Sequence, residues 1–144
     1  VSRKNTTSLI TIDTKLDNQF LNSYWADGLI ISTPTGSTGY SLSCGGPIIM
    51  PDSKNFVLTP IAPHNLNARP LVVSDEKKIE ISINGRESEY FVSADSKIFS
   101  VSIDSKLNIS KAPYVLKMVE FEEDSYIHTL REKLMWGKDK RTEQ

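Results

Sequence analysis

The stretch Ala26–Ile48, ADGLIISTPTGSTGYSLSCGGPI, joins two kinds of sequence that obey different folding rules. Its opening, DGLIIS from Asp27 to Ser32, reads as a short buried strand entered by an acidic residue. From Ser32 onward glycines and prolines alternate with serines and threonines, and the chain is uncharged from Gly28 to Pro51. Ligand-binding loops commonly start where a strand ends. Glycines let backbone N–H groups come close to a ligand, and the hydroxyls of Ser37, Thr38, Ser41 and Ser43 can both donate and accept. Such a loop suits hydroxyls, amides and nucleobase edges.

Several familiar loops are excluded by the same residues. A phosphate-binding P-loop needs a lysine after its second glycine, and no basic residue occurs between Lys15 and Lys54. A nucleophile elbow needs Gly-x-Ser-x-Gly, but Gly39-Tyr40-Ser41-Leu42-Ser43 fails at its last position. No G-x-G-x-x-G fingerprint is present, and the chain downstream does not alternate strand with helix, so a Rossmann fold is excluded.

Outward from the loop the dominant period is two. In SLITIDTKL, Ile10, Ile12, Thr14 and Leu16 share one face, the pattern of a half-buried strand. Ile79, Ile81 and Ile83 do the same in KKIEISI. The Asn84-Gly85 pair that follows predicts a tight hairpin, with Glu89–Ala94 returning antiparallel to it. Further strands are expected over Lys97–Ile103 and Tyr114–Phe121, and short strands within loops between Pro34 and Pro70, where six of the seven prolines fall. After Asp124-Ser125, a capping pair, Ile127, Leu130 and Leu134 recur at helical spacing, with Gly137 placed to cap the C-terminus. The expectation is a mainly β fold with one short terminal helix and a charged tail.

The 144 residues, 38% hydrophobic and 24% charged, fit one globular domain. A net charge of -1 advertises neither nucleic acid nor an anionic membrane as partner. The single cysteine, Cys44, precludes an internal disulfide and a cysteine-built zinc site, and points to a reducing, cytoplasmic setting. The uncharged run is too polar to span a bilayer. Because the chain opens with VSRKNTTSL and no Met, it reads as a piece of a larger protein.

With these readings in place, ADGLIISTPTGSTGYSLSCGGPI closely resembles the signature of the NAD kinases, which commonly read D-G, an apolar run, then T-P-T-G-S-T-A-Y-S-x-S-x-G-G-P. The likeness continues through LTPIAPHNLNARPLVV, FVSADSK and HTLREKLMWG, and so covers nearly the whole chain. The resemblance implies a two-sheet, sandwich-like C-terminal domain spanning residues 1–144. It also implies phosphoryl transfer from ATP, or from polyphosphate in some members, to the 2′-hydroxyl of the adenosine ribose of NAD, with a divalent metal such as Mg accompanying the ATP. The family's Gly-Gly-Asp-Gly motif and N-terminal α/β domain, which carry the catalytic aspartate, are absent from this chain. No catalytic residue and no metal ligand are therefore expected within it, and the fragment alone is expected to be inactive. Family members form dimers or tetramers, so a homo-oligomer is expected.

Carried over residue by residue, the resemblance makes Asp27 the NAD-contacting carboxylate and Thr38, Gly39, Tyr40, Ser41, Leu42 and Ser43 the dinucleotide-binding segment. A carboxylate accepts from ribose hydroxyls or an amide, and a tyrosine ring packs against a base or ribose. Gly39 stands where Ala is usual, and Trp25 where relatives often carry a basic residue. Trp25, Lys97 and His128 are further candidates. Lys97 lies with Asp95 in a segment that approaches the dinucleotide in relatives, and both equally suit an ordinary turn. His64, Asn65 and Arg69 are read as structural, and Met135 and Trp136 as packing into a core or subunit interface. Two rival readings stand beside this one: a lipid or sugar kinase of the wider superfamily, and a non-catalytic β-domain for protein interaction.

Overall fold

The computed structural model describes residues 1–4, 9–117, 119 and 125–136. The chain forms two compact units, Val1–Lys111 and Ala112–Gln144.

The first unit is built from two antiparallel sheets. One has the order β2-β1-β6-β9, from Gln19–Ala26, Ile10–Leu16, Ile79–Asn84 and Leu107–Ile109. Its alternation is the one the sequence predicts: Ile10, Ile12 and Thr14 are buried on β1, and Ile79, Ile81 and Ile83 on β6. The other sheet holds β3 (Gly28–Ser32), β4 (Asn55–Ile61) and β5 (Leu71–Ser74), and a second pair, β7 (Glu89–Ala94) with β8 (Lys97–Ser102). The N-terminal residues join these two parts. Val1 exchanges two bonds with Leu29, each 2.9 Å, and Ser2 exchanges two with Phe91, also each 2.9 Å. Ile12, Ile79, Ile81 and Tyr24 from one sheet and Leu29, Phe56, Leu58 and Tyr90 from the other form one apolar core. Each such side chain contributes roughly 1.5–3 kcal/mol by leaving water. The mainly β, two-sheet expectation is met.

The turns depart from the sequence reading. Asn84-Gly85 does not close a hairpin, because β6 pairs with β1 and β9 while β7 pairs with β8 in the other sheet. Neither residue has a positive φ, so the chain crosses between sheets there. The two-residue hairpin instead joins β1 to β2 through Asp17 and Asn18, whose φ values of 48° and 66° are those a tight primed turn requires. Asp95, with φ 51°, turns β7 into β8. Pro60 lies within β4 but past Leu58, the last residue paired with β5, so its missing N–H interrupts no bond to that strand.

In the second unit, the strand expected over Tyr114–Phe121 is not formed at Tyr114–Lys117, and its far end lies outside the described residues. The helix is present as α2, Tyr126–Lys133, with Ser125 at its N-cap. Gly137 lies outside the described residues, and the chain turns earlier. Met135, at φ 55°, takes the left-handed position, with Met135 N–H donating to Glu132 O and Trp136 N–H to Arg131 O. Met135 and Trp136, expected in a core or interface, are about half exposed.

Candidate functional site

β2 ends at Ala26 in one sheet and β3 begins at Gly28 in the other, so Asp27 is a one-residue corner between them. The corner is tight. A Cβ on Gly28 would run into the Val1 carbonyl oxygen and lie 3.0 Å from the Ile61 side chain, which is why glycine must follow the aspartate. Asp27 N–H donates to Ile61 O at 3.0 Å, its own carbonyl accepts from Arg3 N–H at 3.0 Å, and its Oδ2 lies 2.9 Å from Arg3 Nη2.

At the far end of β3 the uncharged stretch folds into a 3-10 turn, Thr35–Thr38, followed by a single helical turn, α1, Tyr40–Ser43. With no apolar side chain wholly buried in it, the loop is held by hydroxyls. Ser37 Oγ donates to Pro34 O at 2.6 Å and accepts from Ile49 N–H at 3.0 Å, tying the two ends of the loop together. Ser41 Oγ bonds Thr59 Oγ1 at 2.8 Å, pinning α1 to β4. Ser37, Ser41 and Thr59 are all 1% exposed or less. Gly46 passes directly over this pair, where a Cβ would strike Ser41 Oγ and approach Thr59 Oγ1 to 2.8 Å.

This packing divides the segment. Ser41 faces inward, and its hydroxyl is committed to Thr59; Leu42 is half-buried. Thr38, Gly39, Tyr40 and Ser43 face out, with the Tyr40 side chain 63% exposed. The adjacent Cys44 thiol first, then partial desolvation, and also the Asp27 carboxylate hold the Tyr40 phenol above its ordinary value, so it stays a protonated donor.

The remaining candidates separate. Trp25, at the end of β2, is 53% exposed and lies against His64, ring centroids 5.7 Å apart. The loop carrying His64 is laced to that strand, since His64 N–H donates to Trp25 O and Trp25 N–H donates to Asn65 Oδ1, both at 2.8 Å. Arg69 donates to the carbonyls of Leu66 and Ala68, the structural part expected of this loop. Lys97 is exposed at the start of β8, and His128 is exposed on α2 in the second unit. Sequence reasoning missed Arg3 and Thr59. Neither lies in the glycine-rich stretch, and only the closure of the sheets brings them to it.

A family model described as the ATP-NAD kinase C-terminal domain matches residues 1–121. The chain belongs to the NAD kinase family. It is 63% identical over 141 residues to the NAD kinase of Christiangramia forsetii, covering 98% of this chain and 48% of that protein, and equally so to the NAD kinase of Flavobacterium johnsoniae. The chain thus spans about half the length of the NAD kinases it matches. Among solved structures, it is similar to yeast NADH kinase complexed with NADH, at a TM-score of 0.82 and 28% identity over 99% of this chain and 44% of that one. It is also similar to an NAD kinase from Archaeoglobus fulgidus in complex with ATP, at a TM-score of 0.69 and 33% identity over 78% of this chain and 43% of that one.

Proposed function

We propose that this chain is the dinucleotide-binding half of an NAD kinase, a C-terminal domain completed by an N-terminal α/β domain that brings the phosphate loop and catalytic aspartate. The whole enzyme transfers a phosphoryl group from ATP to the 2′-hydroxyl of the adenosine ribose of NAD. The observation that carries the reading is an uncharged loop whose inward hydroxyls are consumed by its own fold, so that Thr38, Gly39, Tyr40 and Ser43 are left facing out.

In this reading Asp27 accepts from ribose or amide donors of the dinucleotide, and the Thr38 and Ser43 hydroxyls grip polar edges. Gly39 lets the backbone come close, and the exposed Tyr40 ring packs on the base or ribose. Ser41 and Leu42 set the position of these groups. Trp25 adds an aromatic surface two residues from Asp27, with Lys97 and His128 as outlying candidates. Phosphoryl transfer depends mostly on positioning and on neutralising phosphate charge, which the divalent metal supplies as part of the ATP substrate. Among the described residues no group of three or more His, Cys, Asp or Glu side chains is placed to hold a metal ion, and no metal ligand is assigned to this chain. The relatives named as complexes with NADH and with ATP support the two substrate classes. We place the enzyme in the cytoplasm as a homo-oligomer; no helix among the described residues is long and apolar enough to cross a membrane.

The test is NADP formation from NAD and ATP by the full-length protein, beside the same protein carrying Asp27→Ala. Loss of a charged hydrogen-bonding partner at the ligand lowers kcat/KM for NAD by about 100-fold, with an unchanged unfolding midpoint. An Asp27→Ala enzyme as active as its parent overturns the assignment of the site, and a full-length parent that forms no NADP overturns the function.

A further inference from the structure

Asp27 stands at a corner, outside the ladders of both sheets, and a carboxylate in such a place rotates about χ1 and χ2 unless something holds it. Arg3 holds it at two points. The Arg3 backbone N–H donates to Asp27 O at 3.0 Å, and the guanidinium Nη2 lies 2.9 Å from Asp27 Oδ2. Both side chains are about a quarter exposed, at 27% and 28%, so the pair is only partly screened by water.

Arg3 is itself fixed. Val1 is bonded in both directions to Leu29, and Ser2 in both directions to Phe91, so the three residues run as a short strand wedged between β3 and β7. These are backbone bonds, and a substitution of the Arg3 side chain leaves them in place. The guanidinium therefore reaches Asp27 from a rigid base, and among the described residues Asp27 is its sole carboxylate partner.

We propose that Arg3 is a positioning residue: by pairing with Oδ2 it fixes the rotamer of Asp27 and turns Oδ1 to the bound dinucleotide. The proposal rests on the reading that Asp27 contacts NAD. An arginine suits the task because its planar fork constrains a carboxylate in orientation as well as distance, which the single ammonium of a lysine does less well.

The experiment uses the full-length protein with Arg3→Met, Arg3→Lys, Asp27→Asn and the Arg3→Met/Asp27→Asn double variant. NADP formation is followed with NAD and ATP varied separately, beside the unfolding midpoint of each variant. Arg3→Met raises KM for NAD about tenfold, and leaves KM for ATP and the midpoint unchanged. Arg3→Lys recovers most of that loss. Once Asp27 is already Asn, Arg3→Met adds less than about twofold, because the group it orients has gone.

A normal KM for NAD in Arg3→Met overturns the proposal, and so does a lowered one, which would make Arg3 a competitor of the ligand. Equal rises in both KM values with a lower midpoint would reduce Arg3 to a structural brace, and additivity in the double variant would break its link to Asp27. If Asp27→Asn alone leaves KM for NAD unchanged, the failure lies in the reading of Asp27 and not in the pairing.

Discussion

In β1 and β6 the residues that water does not reach are three isoleucines, Ile12, Ile79 and Ile81, and one threonine, Thr14, whereas across the uncharged loop they are Ser37, Ser41 and the Thr59 to which Ser41 bonds. Both sets are exposed by 1% or less. Apolar contact is non-directional, so the sheet is held by many interchangeable contacts, and its cost of disruption scales with volume removed. Hydroxyl bonds are directional and few. The loop consequently wholly buries no apolar or charged side chain, which leaves an outer face of Thr38, Tyr40 and Ser43 exposed. A binding surface that must accept a polar, partly aromatic ligand benefits from that division.

Removing volume from the sheet has the largest expected effect. Ile81→Ala, at a fully buried site, lowers the unfolding free energy by about 2–5 kcal/mol in denaturant titration. A loss below about 1 kcal/mol would mean that the core is not shared between the two sheets as the packing indicates. Gly46→Ala comes next. Its Cβ has no room above Ser41 and Thr59, and the resulting overpacking costs about 1–3 kcal/mol while displacing α1, so KM for NAD rises with the loss of stability. Free tolerance of alanine there would show that the loop is not clamped at that point.

Ser41→Ala sharpens the contrast at the level of one bond. It strands the Thr59 hydroxyl in a fully buried place, at a cost of about 1–2 kcal/mol. Adding Thr59→Val removes the stranded group, so the double variant is less destabilised than the sum of the two single ones. Strict additivity would deny the bond any special role.

These two regions were not equally legible in the sequence. Alternating isoleucines in β1 and β6 have nowhere to go but a common interior, whereas β7 was expected as the return strand of the Asn84-Gly85 turn and is formed although that hairpin is not. β2 was harder, because Gln19–Ala26 exposes Phe20 and Trp25 and buries Tyr24, which blurs the alternation. Asn84-Gly85 carries good hairpin chemistry, yet the pairing of β6 with β1 and β9 overrides it, and the primed turn is made by Asp17-Asn18. In the loop, residue type announced polar recognition without saying which hydroxyls face in. Ser41 and Thr38 look alike on paper, and only a partner 18 residues away in β4 decides that Ser41 is buried. Arg3 escaped notice for the same reason, since its partner lies 24 positions along the chain, across a sheet-to-sheet corner.

The smallest expected effect concerns charge, which the two regions also divide unequally. All six ion pairs among the described residues lie outside Gly28–Pro51. Lys15 first, and Lys106 after it, hold the Glu80 carboxyl below its ordinary value; Lys4 does so for Glu89, and Lys77 with the Lys78 N–H for Asp17. A carboxyl lowered in the folded state contributes stability that is present above its ordinary range and disappears as pH falls through the depressed folded value. These groups are open to solvent, so the contribution is modest and screened by salt. A Lys4→Met/Lys15→Met/Lys77→Met variant should therefore unfold slightly more easily than its parent at neutral pH and low salt. The gap should close once pH has dropped below the carboxylate range, and shrink again in about 1 M salt. The Ser41→Ala penalty, which involves no ionisable group, should be the same at both ends of that pH range. If it instead tracked pH as the ion pairs do, the loop would be coupled to the charged rim, and its independence from electrostatics would be lost.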